Sequence, residues 1–141
     1  MEQQFKFMLE EGAFKPTKGH PTDAGFDLYT PTDFKLNPGQ SKSINTGVHM
    51  FIEPGYVGLL LNKSGLAHKS NVESAVGVVD ADYTGTIHAK IWNHSAIPVK
   101  FAKGDKITQI VILPIPEVTL MMTEEMPETE RGLNGFGSTG R

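Results

Sequence analysis

Short runs of apolar or alternating residues, each of strand length, recur along the chain. They occupy residues 5–9, 48–52, 57–61, 87–92 and 107–113. Residues 86–92 approach the two-residue alternation of a strand that buries one face. Turn-forming residues stand between the runs, at 37–39, 53–55 and 103–105. Only residues 64–70 favour a short helix, so the pattern predicts an all-β sandwich, jelly roll or barrel.

The end of the chain has a different composition. Residues 128–141 are rich in Gly, Ser and Thr, and Leu133 and Phe136 are almost their only apolar residues. Such a segment cannot bury enough apolar surface to order itself. We therefore expect a β domain over residues 1–127 and a mobile C-terminal arm over residues 128–141.

Composition narrows the classes of function. A chain of 141 residues suits one domain with one core. It has no cysteine, which excludes disulfides and thiolate chemistry and suits the cytoplasm, or the host cytoplasm if the source is viral. A net charge of -3 without a basic block disfavours nucleic-acid binding. We expect no membrane segment, because no apolar run approaches the roughly 20 residues that span a bilayer, and no secretory signal.

The arm carries the most specific pattern in the chain. Gly135, Gly137 and Gly140 match G-x-G-x-x-G, but no helix can follow them, so the dinucleotide-binding interpretation fails. The Walker pattern fails as well, because no lysine precedes the two hydroxyl residues Ser138 and Thr139. Backbone N–H groups of a glycine-rich segment and two hydroxyls nevertheless suit an anion.

Two further side chains complete this arm. Arg131 offers a forked cation that matches phosphate oxygens. Phe136 is an aromatic residue with no core to join, so it is suited to stacking on a planar ligand. The combination predicts a lid that orders over a nucleoside triphosphate.

Four other segments carry candidate chemistry. Asp80 and Asp82 lie two residues apart in segment 77–85, where an extended chain would direct both carboxylates to one side and one of them could act as a general base. Alone, this segment is more typical of a polar turn between two strands. Segments 24–28, 62–67 and 104–109 add an aspartate, a cation beside a hydroxyl, and a turn before a strand. The histidines lack the i, i+4 spacing of a metal site.

Together, these five segments, in this order and at these intervals, resemble the five motifs of the homotrimeric dUTPase family. The likeness extends from residue 24 to residue 140, which is nearly the whole chain. It implies a jelly-roll-like β-barrel, hydrolysis of dUTP to dUMP and pyrophosphate, and a homotrimer with active sites at the subunit interfaces. It also implies a supply of dUMP for dTMP synthesis and less uracil in DNA.

The resemblance assigns roles by motif position. Asp80 corresponds to the general base, and Gln109 lies near the α-phosphate and the attacking water. Gly77, Tyr83 and Phe136 correspond to the contacts with the base and the sugar. The phosphate contacts correspond to Lys63, Ser64, Gly65, Gln109, Arg131, Gly137, Ser138 and Thr139. Mg²⁺ would be bound mainly through the triphosphate, with Asp27 acting on it through water.

One departure and two alternatives accompany this interpretation. Lys63 replaces the arginine usual in the second motif, which keeps the charge and loses the bidentate fork, and Asn62 replaces a common proline. A dCTP deaminase shares the fold and needs a carboxylate at the base, for which Glu73 is the candidate. A nucleotide-gated regulatory protein would use the same arm, so the sequence leaves a regulatory protein partner open.

Overall fold

The computed structural model describes residues 2–140; Met1 and Arg141, the two ends of the predicted domain and arm, lie outside the described residues. The strands are β1 (Lys6–Leu9), β2 (Gly25–Tyr29), β3 (Phe34–Leu36), β4 (Ser41–Phe51), β5 (Tyr56–Leu61), β6 (Val72–Ser74), β7 (Gly77–Val79), β8 (Thr86–Asn93), β9 (Val99–Phe101) and β10 (Lys106–Pro114). One short helix, α1 (Ser64–Lys69), follows β5. All five predicted strands and the predicted helix are present, and the all-β prediction is confirmed.

The strands form two four-stranded sheets and a two-stranded ribbon. Sheet A has the order β1-β4-β8-β6, sheet B the order β2-β10-β5-β7, and the ribbon joins β3 to β9. Every paired strand runs antiparallel. Antiparallel sheets bury one face and leave the other open, and β8 shows this alternation along its whole length.

The core consists of two clusters of buried apolar side chains. The first contains Leu28, Val48, Met50, Ile52, Leu60, Val79, Ile87 and Ile110. The second contains Phe34, Leu36, Ile44, Val72, Ala89, Ile91, Phe101 and Ile107. Each cluster combines side chains from strands that are distant in sequence. Val79 of β7 and Ile110 of β10 pack in the first cluster, and this packing positions the residues that follow β7.

The chain leaves this body after β10. From residue 113 to residue 140 the described residues are exposed, and none of 115–140 belongs to a strand or helix. Along residues 131–140 the backbone closes short turns on itself, as where Ser138 N–H donates to the carbonyl of Gly135. Within residues 2–140, no helix is long and apolar enough to cross a membrane.

Candidate active site

A cleft of about 220 Å³ lies against β7 and the loop that follows it. Its lining includes Gly77, Asp80 and Tyr83, three of the residues that the sequence predicted for the site, and also Thr86 and His88 of β8. The Tyr83 hydroxyl donates to the carbonyl of Thr86 over 2.8 Å, which fixes the ring beside the cleft. Backbone, carboxylate and aromatic groups therefore converge on one concave surface.

The arrangement of the two aspartates in this loop differs from the prediction. The extended chain ends at Val79, so Asp80 and Asp82 lie in a turn, in which Tyr83 N–H donates to the carbonyl of Asp80. Asp82 has a φ of 70°, in the left-handed region that non-glycine residues seldom adopt. Asp80 lines the cleft and Asp82 is not among the lining residues. The carboxylates are consequently not two equivalent groups on one side of a strand.

A second group of polar residues surrounds Asp27 on β2. Asp27 is 4% exposed. Each of its carboxylate oxygens contacts an ammonium group: Lys63 at one oxygen, and Lys106 at the other over 3.2 Å. Because Asp27 accepts a hydrogen bond from Lys106 and attracts its charge, the pKa of Lys106 is raised above the ordinary lysine value. The aspartate therefore holds two cations at one end of sheet B.

Gln109 joins this second group. It is paired with Asp27 across β10 and β2, and its side-chain amide donates to the carbonyl of Asn62 over 2.7 Å. Asn62 in turn accepts a hydrogen bond from the backbone N–H of Ser74, so the segment before α1 is tied to two strands. Ser64 and Gly65 are the first residues of α1 and are exposed. The predicted phosphate contacts of the second and fourth motifs thus lie beside two lysines.

Sequence reasoning missed Lys106, Thr86 and His88. The signal for Lys106 was present, since it follows the turn at Gly104 in the same segment as Gln109. No local signal places Thr86 or His88 in the cleft, because their position depends on the path of β8 behind the loop. Glu73, the residue on which the deaminase alternative depends, does not line the cleft and contacts His94 Nε2 over 2.6 Å.

The predicted arm residues gather in a third place. A concavity of about 410 Å³ is lined by Arg131, Gly135, Phe136, Gly137, Ser138 and Thr139. The Arg131 guanidinium donates to the carbonyl of Asn134 over 2.8 Å, and Phe136 is fully exposed. Arm residues alone line this concavity and its neighbour, so within one chain the described arm does not cover the cleft at Asp80.

The strand register shows how far apart the first two groups are. Phe26, Ile110, Leu60 and Gly77 form one row across the four strands of sheet B. Asp27 lies one residue to one side of this row, and Asp80 lies three residues to the other side. Three strand spacings and four residues correspond to roughly 14 Å across the strands and roughly 13 Å along them. One chain therefore separates the two groups by more than the length of a triphosphate.

Comparison with known proteins identifies the chain. The model of the dUTPase family matches residues 12–140. This chain belongs to the dUTPase family. The deoxyuridine 5'-triphosphate nucleotidohydrolase of Polynucleobacter asymbioticus is 38% identical over 131 residues, which cover 89% of this chain and 88% of that protein. The enzyme of the same name from Thermobifida fusca is 40% identical over 128 residues, which cover 89% of this chain and 72% of that protein.

Solved structures of dUTPases have the same fold. The dUTPase of Staphylococcus bacteriophage 80alpha with dUpNHpp aligns with a TM-score of 0.93 at 30% identity, covering 99% of this chain and 100% of that chain. A mutant dUTPase from phage phi11 of S. aureus aligns with a TM-score of 0.82 at 29% identity, covering 89% and 100%, and that structure reveals the coordination of a structural Mg(II) ion. The jelly-roll-like β fold is confirmed, and the chain is a hydrolase that converts dUTP to dUMP and pyrophosphate.

Proposed function

We propose that Asp80 is the general base of this dUTP hydrolysis. The carboxylate is exposed at the edge of the cleft that Gly77 and Tyr83 also line, and this convergence is the observation that carries the proposal. Asp80 accepts a proton from water, whose oxygen attacks the α-phosphorus, and the bond to the pyrophosphate oxygen breaks. The main chain around Gly77 reads the uracil edge, and the Tyr83 ring packs on the deoxyribose where a 2′-hydroxyl would otherwise project.

The phosphates are assigned to the group around Asp27. Lys63 and Lys106 present two positive charges held in place by one buried carboxylate, and Gln109 and the start of α1 add neutral donors. Fixed cations beside a transferring phosphoryl group stabilise the charge that develops in the transition state. Arg131 and the glycine-rich arm close over the remaining phosphates, with Phe136 stacking on the base, and exclude water.

The triphosphate of dUTP would hold Mg²⁺ and bring it to the site, where the metal would offset phosphate charge. Both oxygens of Asp27 are engaged by lysines, so this carboxylate would act on the metal only through water, and it serves first as the counter-ion of the two lysines. Within residues 2–140 no group of three or more acidic or histidine residues is placed to hold a metal. The usual binding of Mg²⁺ through phosphates and water with few carboxylates supports this assignment.

Each active site is shared between subunits of a homotrimer. The separation of Asp80 and Asp27 that follows from the register supports this assignment, because it exceeds the length of one triphosphate. The exposed segment after β10 supports assembly, because large contiguous apolar patches on a soluble protein mark interaction surfaces. It exposes Val118, Leu120, Met121, Met122 and Met126.

The experiment that tests the base compares pyrophosphate release from dUTP, dTTP, dCTP and UTP by the wild type, Asp80→Asn and Asp82→Asn. We expect Asp80→Asn to lower kcat by about 10²- to 10⁴-fold, the usual contribution of a general base, while dUpNHpp still binds. Asp82→Asn is the matched control, since it removes a carboxylate of the same loop that does not line the cleft. Wild-type turnover by Asp80→Asn contradicts the assignment.

Subunit mixing tests the shared site. We expect inactive Asp80→Asn and Lys63→Ala chains, unfolded and refolded together, to recover dUTP hydrolysis, because mixed assemblies contain sites with both native residues. Asp80→Asn mixed with Tyr83→Ala recovers none, since both residues line one cleft of one chain. Failure of the first mixture, with trimers present by ultracentrifugation, contradicts the shared site.

A regulatory role is a second candidate. Phage dUTPases are described as controlling the transfer of virulence genes by a G protein-like mechanism, and the 80alpha protein carries that description. The exposed arm of this chain is suited to a nucleotide-dependent switch. We expect dUpNHpp to protect residues 128–140 from proteolysis; a cleavage pattern independent of dUpNHpp would contradict the switch.

A further inference from the structure

Few contacts within the described residues hold the loop of residues 80–85, which bears two of the proposed substrate contacts. Two of these contacts are hydrogen bonds within the loop or between the loop and β8. Tyr83 N–H donates to the carbonyl of Asp80 over 3.3 Å, and the Tyr83 hydroxyl donates to the carbonyl of Thr86. A third, from Asp82 N–H to the carbonyl of Ile52, is long at 3.4 Å. The tip of the loop therefore needs another anchor to keep the Tyr83 ring in one place.

The anchor is a histidine on the neighbouring strand. His49 of β4 lies opposite Thr86 of β8, after the irregularity that interrupts the pairing of these strands. Its Nδ1 lies 2.7 Å from the carbonyl oxygen of Thr84, and its Nε2 lies 3.2 Å from a carboxylate oxygen of Glu10. The imidazole thus joins three separate parts of the chain, and Thr84 directly follows Tyr83.

We propose that His49 is a positioning residue for dUTP recognition, which holds the loop of residues 80–85 through the Nδ1–H bond to the Thr84 carbonyl. The proposal rests on the proposed role of Tyr83 at the deoxyribose. Fixing the Thr84 peptide fixes the residues on both sides of it, and one of them is Gly85, where an added Cβ would lie 2.5 Å from the Tyr83 hydroxyl oxygen. A loop held in this way presents the ring to the sugar before dUTP binds, which lowers the ordering cost of binding.

The role of Glu10 follows from the tautomer. A neutral imidazole has one N–H, and the carbonyl of Thr84 can only accept, so the proton resides on Nδ1. When the imidazole becomes charged, its second proton binds to Nε2, and Nε2–H then donates to the Glu10 carboxylate. Glu10 therefore orients the ring and strengthens the contact in the charged form, while the bond to Thr84 persists in the neutral form.

Two amide substitutions separate the two contacts. Asn at position 49 places its amide near the Nδ1 position and keeps a donor for Thr84; Gln places its amide near the Nε2 position and loses that donor while retaining contact with Glu10. We expect His49→Gln to raise KM for dUTP by about three- to tenfold, the size of one net hydrogen bond, and to lower the preference for dUTP over UTP by a similar factor. His49→Asn keeps both values near wild type, and kcat changes less than KM in either variant.

The control uses a second histidine–carboxylate pair of the same sheet. His94 Nε2 lies 2.6 Å from a carboxylate oxygen of Glu73, and neither residue lines the cleft at Asp80. His94→Gln should leave KM and the dUTP/UTP preference unchanged. If Tyr83→Ala abolishes that preference while His49→Gln and His49→Asn both behave as wild type, the inference about His49 is overturned and the proposed function stands. If Tyr83→Ala itself keeps the preference, the proposed role of Tyr83 fails first.

Discussion

The fit between Tyr83 and Gly85 gives the sharpest test of the sugar pocket. A Cβ added at Gly85 would lie 2.5 Å from the Tyr83 hydroxyl oxygen and 2.7 Å from the ring carbon that bears it. Non-bonded heavy atoms settle at about 3.5–4.0 Å. Gly85→Ala therefore forces the far end of the ring to move by about 1 Å, and the ring is free to move because Tyr83 is 46% exposed.

The size of the effect follows from that displacement. The bond from the Tyr83 hydroxyl to the Thr86 carbonyl spans 2.8 Å, so a shift of about 1 Å takes it beyond hydrogen-bonding distance. A misplacement of this size at a substrate-positioning residue costs up to about 10²-fold in rate. We expect kcat/KM for dUTP to fall by about 10- to 100-fold and the preference for dUTP over UTP to fall with it.

The assay measures pyrophosphate release from dUTP and UTP by four proteins: wild type, Gly85→Ala, Tyr83→Ala and the double variant. If the added methyl group acts through the ring, Gly85→Ala changes nothing further once Tyr83 is alanine, so the two effects are strongly non-additive. Thermal unfolding of each protein shows that the fold is retained. Additive effects, or an unchanged dUTP/UTP preference in Gly85→Ala, would refute the reasoning.

Three further perturbations test other contacts. Asp27→Asn leaves two ammonium groups without their counter-ion. Removing one partner of a buried ion pair lowers the free energy of unfolding by about 3–5 kcal/mol, and because the lysines are partly exposed we expect a loss of about 2 kcal/mol, measured by urea unfolding. An unchanged urea midpoint would mean that Asp27 does not hold the cations. The hydrogen bonds of His49 to Thr84 and Glu10 raise the pKa of its imidazole. The stability that charged His49 contributes is therefore fully present below about pH 6.5 and is lost as the pH rises through the raised pKa. The difference in Tm between wild type and Glu10→Gln should shrink from pH 6 to pH 8.5, and a constant difference would contradict this. Deleting residues 132–141 should lower kcat/KM by about 10²-fold or more with Tm unchanged, and loss of folding would show that the arm belongs to the core.

The longer strands could be predicted from sequence because their signal is local. β8 alternates over its whole length. β10 carries an apolar run at residues 110–113, of which Ile110 is buried and pairs with strands on both sides. The short strands β3, β6, β7 and β9 have three residues each, too few for a period to be visible. They exist because a partner strand supplies their hydrogen bonds, as β5 does for β7, and no local window contains that information.

The site shows the same division between local and distant information. The motif segments predicted Asp80, Lys63 and Gln109 as site residues. In the structure Asp80 lines the cleft beside β7, and Lys63 and Gln109 lie in the group around Asp27. Asp27 contacts lysines 36 and 79 positions away, and His49 bonds to a residue 35 positions away. These contacts appear only when the strands are paired. The turn at Asp82 was also hidden, because the extended conformation assumed for its segment ends at Val79.

The proposed phosphate role of Lys63 offers a physical account of how the chain can lack the arginine usual in its second motif. A lysine ammonium is a point charge that cannot grip two phosphate oxygens as a guanidinium does. Here Lys63 and Lys106 approach the two oxygens of one buried carboxylate, so Asp27 holds one ammonium group at each of its oxygens. Two fixed point charges can contact two phosphate oxygens at once, as one forked cation does. Replacing Lys106 should therefore impair this chain more than a dUTPase that retains the arginine.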